Sequence, residues 1–213
     1  EGYSRFSKQF TETSGLKLYL TSSYYDQRSN YGFTKYDAKQ TSLSAMGFYE
    51  FEVLPRSFLK TGISYKYQNI DEVIAFGDTT SKTYAGNYLK KEAIPGVFAE
   101  NSISFLDDNA SLMTGIRVDN HNEHGVVVTP RALFRYQPVK TIVFRASVGT
   151  GFRTINLFSE YSNLLASSRN VVIAETLEPE KTLNYGVDVL YYFGGNEYSG
   201  SVNVDFYRTE FSN

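Results

Sequence analysis

Period-two alternation governs this chain. Segments of about ten residues set Leu, Ile, Val, Phe and Tyr on one side against Lys, Arg, Ser and Gly on the other. Leu16, Leu18 and Leu20 oppose Lys17, Tyr19 and Thr21; Leu59, Thr61, Ile63, Tyr65 and Tyr67 oppose Lys60, Gly62, Ser64, Lys66 and Gln68. Successive side chains of a β-strand point to opposite faces, so such a chain is confined to a sheet with one apolar and one polar face. The alternation predicts about nine antiparallel strands, with a partial one near residues 3–10.

The connections sort by length. Short ones (LPRS at 54–57, LDDNA at 106–110, QPVK at 137–140 and GGNE at 194–197) alternate with longer ones at 26–37, 70–90, 120–126 and 152–178. Tight turns then lie at one end of the sheet and large loops at the other, as in a transmembrane barrel. A soluble sandwich has no need of that sorting. The charges Lys17, Lys60, Arg117, Arg131, Arg135, Arg145 and Asp188 all fall on the polar face. A charge facing lipid near the midplane costs about 2–4 kcal/mol, so their absence from the apolar face fits a membrane. Strands of ten or more residues, and Tyr near the ends of several apolar faces, favour the same reading.

Composition narrows the chemistry. The 213 residues contain 18 Tyr and 16 Phe, which favours strands, but no Cys and only two His. Thiolate nucleophiles, disulfides and Cys-based zinc sites are thereby excluded. A net charge of -2 argues against a nucleic-acid surface. No apolar run approaches the length of a membrane-crossing helix, which leaves a barrel open. The start EGYSRFSKQF lacks a secretory signal pattern. No catalytic constellation or cofactor motif is present, so the chain reads as a non-enzyme without a cofactor.

Four stretches between Gly115 and Gly186 and just beyond carry a resemblance: GIRVDNHNEHG, TPRALFRYQP, FRASVGTGFRTINLFSEY and LEPEKTLNYGVD. As an ordered set they resemble the β-barrel of TonB-dependent outer-membrane receptors, especially those of Bacteroidetes-like bacteria. The resemblance implies an all-β, antiparallel transmembrane β-barrel of 22 strands. It implies a plug domain, a place in the bacterial outer membrane in contact with its lipid, and import of a scarce small molecule such as a siderophore, haem or cobalamin. Energy would come from the TonB–ExbB–ExbD system through the plug. No plug is recognisable within residues 1–213, and nine strands are too few for such a barrel. The expectation is therefore an internal piece of a longer chain, its alternatives being a passive porin or a soluble sandwich module.

Several residues stand out as site candidates. Arg117, Arg131, Arg135 and Arg145 form a basic row expected to line the lumen, where they pair with acids or face a plug or an anionic ligand. The loop aromatics Tyr84, Tyr88, Phe158 and Tyr161 could stack on a ligand, since rings give large contact area at low entropic cost. Arg153, where a strand enters the longest loop, could touch ligand or pair with Glu178 or Glu180. His121 and His124 form an HxxH pair that reads as a polar hairpin tip, with metal capture as the weaker alternative.

Overall fold

The computed structural model describes residues 1–77, 82–166, 170, 172, 177–195 and 198–212, and forms one ten-stranded antiparallel sheet in sequence order. Its strands are β1 (Gly2–Thr11), β2 (Ser14–Tyr31), β3 (Thr34–Leu54), β4 (Ser57–Phe76), β5 (Gly86–Phe105), β6 (Ala110–His121), β7 (Gly125–Val139), β8 (Ile142–Arg153), β9 (Glu180–Gly194) and β10 (Ser199–Ser212). The partial strand is thus a full one, β1, paired with β2 from Gly2↔Ser22 onward.

Register keeps every face in phase across the sheet. One row runs Leu18, Gly47, Ile63, Val97, Val118, Val128, and another runs Ala132, Val148, Tyr185. The next row on the opposite face runs Lys17, Phe48, Gly62, Phe98, Arg117. A slip of one residue anywhere would mix the two sets, so the alternation itself pins the register. The apolar face is left bare: Ile63 is 68% exposed, Val97 55%, Ile116 50% and Val128 49%. In a sandwich these mid-strand side chains would be covered by a second layer. Here they form the outward band of a barrel wall, whose lower margin carries Tyr49 in ring contact with both Phe10 and Phe51.

Two expected loops are strand. The segment 26–37 continues β2 and β3 to a two-residue turn at Gly32 and Phe33, with Gly32 at φ 62°. The segment 70–90 lengthens β4 to Phe76 and β5 back to Gly86, leaving a connection of residues 77–85. At the other end the turns are short, with left-handed φ at Arg56 and at Leu106, Asp107 and Asp108. The sorting of connections therefore resides largely in strand length. β2 to β5 run 18, 21, 20 and 20 residues, against 12 for β6 and β8. A span needs about 9–11 residues, so roughly half of β3 stands beyond the apolar band.

In that overhang the pattern inverts. On β3 the outward positions become Lys35, Asp37 and Lys39 while the inward ones become Tyr36 and Ala38, both buried. On β4 the buried Ile70, Glu72 and Ile74 face inward. Outside lipid the outer surface meets water, so the apolar side turns to the interior.

The connection after β8 turns inward as two short helices, α1 (Leu157–Glu160) and α2 (Asn163–Ala166). The middle of the expected 152–178 loop (167–169, 171, 173–176), the tip 78–81 of the expected 70–90 loop, and Asn196 and Glu197 of the GGNE turn lie outside the described residues.

Candidate functional site: the polar face and its covered mouth

The polar face is concave. A hollow of about 820 Å³ is lined by residues of strands between β1 and β8, among them Thr21, Ser44, Lys66, Glu92, Arg117 and Arg153. The same face carries a belt of paired charges, of which Arg117 and Asp119 line the hollow itself. Lys17 meets Glu50 at 3.2 Å, and Lys60 meets Glu100 at 2.9 Å. Glu100 also accepts from Arg131, and Arg145 pairs with Asp188 at 2.8 Å. Arg117 is held by Asp119 at 2.6 Å and donates to Ser64 at 2.6 Å. That last bond crosses β5 above Gly96, where an added Cβ would lie 2.0 Å from Asp119 Oδ1.

Of the four expected basic residues, Arg117, Arg131 and Arg145 are thus neutralised within the wall. Arg135 faces Arg145 across β7 and β8 and donates to Gln137 Oε1. Lys66 has neither an ion pair nor a hydrogen bond among the described residues. Below the hollow Phe48, 8% exposed, lies over Gly62 between Tyr19 and Phe98, with Lys17 and Lys60 above its ring.

The loop aromatics converge, but mostly on one another. Tyr84 and Phe158 are 1% and 2% exposed, in a cluster with Tyr36, Ala38, Ile74 and Leu165. Tyr31, Phe76, Tyr88 and Leu157 pack around it, with the Tyr88 and Phe158 rings 4.7 Å apart. Tyr84 and Phe158 therefore have no free face for a ligand, whereas Tyr161 remains 46% exposed. Arg153 pairs with Glu180 at 2.9 Å, as expected of one of its two acids, and also with Glu160 at 3.1 Å.

His121 sits at the tip of β6, fully covered. Its Nδ1 accepts the backbone N–H of Glu123 and of His124, so the ring proton is on Nε2, which points at Glu92 Oε1 3.7 Å away. The His124 ring lies 4.7 Å from the His121 ring. Among the described residues no group of three or more His, Asp or Glu is arranged to hold a metal. His121 acts here as the acceptor that shapes the hairpin tip.

Residues that the sequence reading passed over complete the mouth. Tyr36 donates to Glu72 Oε1 at 2.5 Å. Burial pushes the Glu72 carboxyl above the usual carboxylate range, against the bond from Tyr36 and the charge of Lys90. Burial, then the Glu72 bond, pushes the Tyr36 hydroxyl up in turn. Lys90 reaches Glu92 at 2.8 Å, Asn156 Oδ1 at 2.8 Å and the Ile155 carbonyl at 3.1 Å. The inverted alternation at 36, 38, 70, 72 and 74 was the available signal for the apolar part. Nothing local marks Lys90 or Thr154.

An apolar band facing outward, a charged and hollow face turned inward, and strands that overhang at one end together define the wall of a transmembrane β-barrel with a covered mouth. Over its whole length, residues 1–213, the chain matches the TonB dependent receptor-like β-barrel family, and it belongs to that family of outer-membrane receptors and transporters. No curated protein matches the sequence. Among solved structures it is similar to the siderophore receptor PirA from Pseudomonas aeruginosa, at 14% identity and TM-score 0.56, covering 98% of this chain and 44% of that one. It is similar to FpvA of P. aeruginosa bound to heterologous pyoverdines, at 14% identity and TM-score 0.62, covering 97% and 32%. It is also similar to the copper transporter OprC, at 14% identity and TM-score 0.59, covering 94% and 40%. At such identities the likeness is one of fold. The chain spans less than half the length of each of these proteins.

Proposed function

We propose that this chain forms part of the wall and mouth of a receptor that takes up a scarce nutrient across a bacterial outer membrane. Import through the lumen would be driven by the TonB–ExbB–ExbD system acting on a plug domain elsewhere in the protein. The observation that carries this reading is the phase of the sheet. Within the apolar band the pairs Lys17–Glu50, Lys60–Glu100, Arg117–Asp119 and Arg145–Asp188 face the hollow side while the row through Ile63, Val97 and Val128 faces out, an arrangement suited to a lipid-embedded wall around a polar passage. The neighbours described as siderophore receptors and a copper transporter make a metal chelate or metal ion the first class to try. Tyr161 and Arg153, the latter exposed though paired with Glu160 and Glu180, are the members of the candidate set that would meet it. Tyr84, Tyr88 and Phe158 act behind them, by holding the mouth in shape.

The test is uptake by cells that make the intact protein, with labelled ferric siderophores and copper, in the presence and absence of TonB. Uptake that vanishes without TonB is expected. Uptake that persists without TonB, together with an open-pore conductance in planar bilayers, would replace this reading by a passive porin.

A further inference from the structure

The segment 154–166 leaves the top of β8 and does not stay on its own side of the mouth. It crosses the hollow and docks on the inward face of the β3–β5 overhang. Phe158 and Leu165 are 2% and 1% exposed there, against Tyr36, Ala38 and Ile74. Its polar attachments concentrate at its root. Thr154 donates to Glu92 Oε1 at 2.5 Å, and Lys90 donates to the Ile155 carbonyl and to Asn156 Oδ1. The same Lys90 ammonium pairs with Glu92, so one cation joins wall carboxylate, strap backbone and strap side chain. Farther along, Tyr84 reaches the Leu164 carbonyl at 3.5 Å. Arg153 and Thr154 at the strap's root line the hollow, and the rest of the strap packs beyond it on the overhang, at the mouth.

We propose that segment 154–166 is a lid over the lumen and that Lys90 is its latch. The lid's own helices are only four residues each, too short to be stable unless docked. Its position therefore rests on the apolar cluster and on the Lys90 node. A charge-assisted node of this kind is a discrete contact that an arriving solute or a moving neighbour can break, whereas the apolar cluster is diffuse. Release at Lys90 frees Ile155 and Asn156 together, at the point where the lid leaves β8. The proposal holds whatever solute the lumen carries, so it and the transport reading can fail separately.

Maleimide labelling tests it in the intact protein, with any cysteine elsewhere in the protein replaced. The 213 residues here contain no Cys, and Ala38 is 7% exposed beneath the lid, so Ala38→Cys is a near-isosteric reporter. Ala38→Cys should label slowly alone, about tenfold or more faster with Lys90→Met, and slowly again with Lys90→Arg, which restores the charge. A reporter at the exposed turn, Thr13→Cys, should label equally in all three, and the heat-sensitive gel shift of a folded barrel should be unchanged. Fast labelling of Ala38→Cys in the Lys90 background would show that the lid does not seat. Slow labelling with Lys90→Met would show that Lys90 does not hold it. Either result overturns the proposal.

Discussion

Val148 and Ser147 are one residue apart and are expected to respond oppositely to the same substitution. Val148 is 47% exposed and lies in the outward row between Ala132 on β7 and Tyr185 on β9. Val148→Arg places a guanidinium near the middle of the apolar band, at a cost of about 2–4 kcal/mol, or roughly 30- to 1,000-fold in the folding equilibrium. Ser147 points to the other side, into a hollow of about 300 Å³ that also holds Asp188 and Asp205. Asp205 has no hydrogen bond or ion pair among the described residues, so an arginine at 147 finds both room and a counter-charge, and Ser147→Arg should cost about 0–1 kcal/mol. A buried Val148 in a sandwich would also reject arginine, so a third variant is decisive. Val148→Phe adds apolar surface to a lipid face at little cost, but would overpack a dry core by about 1–3 kcal/mol. The assay is guanidinium unfolding of the intact protein in phospholipid vesicles, with the folded fraction read from the gel shift. If Val148→Phe costs as much as Val148→Arg, or Ser147→Arg costs more than either, the assignment of faces is wrong.

Three further outcomes follow from the same geometry. A Cβ at Gly62 would sit 2.3 Å from the Gly47 carbonyl oxygen and 2.6 Å from Phe48 Cβ, so Gly62→Ala should lower vesicle stability by about 1–3 kcal/mol. Glu100→Gln leaves Lys60 and Arg131 facing a neutral amide, and because these cations are 30% and 62% exposed the loss in the same unfolding assay should be only about 1 kcal/mol. Glu72, raised by burial, binds its proton more tightly in the folded wall than when unfolded, and Tyr36, Tyr88 and Lys90 are the titratable groups around it. Its contribution is therefore full below the ordinary carboxylate pKa and declines as pH rises toward the folded value. The labelling rate of Ala38→Cys relative to that of Thr13→Cys, a ratio that removes the thiol's own pH dependence, should be lower at pH 5 than at pH 8, and that difference should vanish in Glu72→Gln.

The membrane-crossing part of the fold was legible because lipid on one side and water on the other impose a single phase on every strand. Leu16, Leu18 and Leu20 opposite Lys17, Tyr19 and Thr21 suffice to assign β2 and both its faces. The overhang reads as loop in the sequence for a physical reason. Asp26, Arg28, Lys35, Asp37 and Lys39 look like a polar connection when the apolar face is sought on the same parity as in the band. The apolar positions Tyr36, Ala38, Ile70 and Ile74 occupy the other parity. A strand that leaves lipid for water keeps its period and exchanges its faces, so a search for alternation of either phase would have recovered 34–41 and 69–76 as strand. Very short turns such as Gly32 and Phe33 then follow from the register rather than from a long turn signature.

The candidate site was legible only in its charges. Basic residues on alternate positions of neighbouring strands must share a face, so the row Arg117, Arg131, Arg145 could be drawn from the sequence. Their acids could not: Glu100 serves Lys60 and Arg131 from a strand between them, and Asp188 reaches Arg145 across a connection of 26 residues. The mouth was harder still, because its packing joins residues far apart in the chain that no periodic rule relates. Phe158 reads as a loop aromatic open to ligand, and becomes core once 154–166 folds across to Tyr84 and Tyr88. That exchange of roles has a consequence for specificity. On the proposed reading, aromatics spent on seating the lid are withdrawn from the solute, and recognition at this part of the mouth would pass to the exposed Arg153 and Tyr161 and to Lys66, which has no ion pair or hydrogen bond among the described residues.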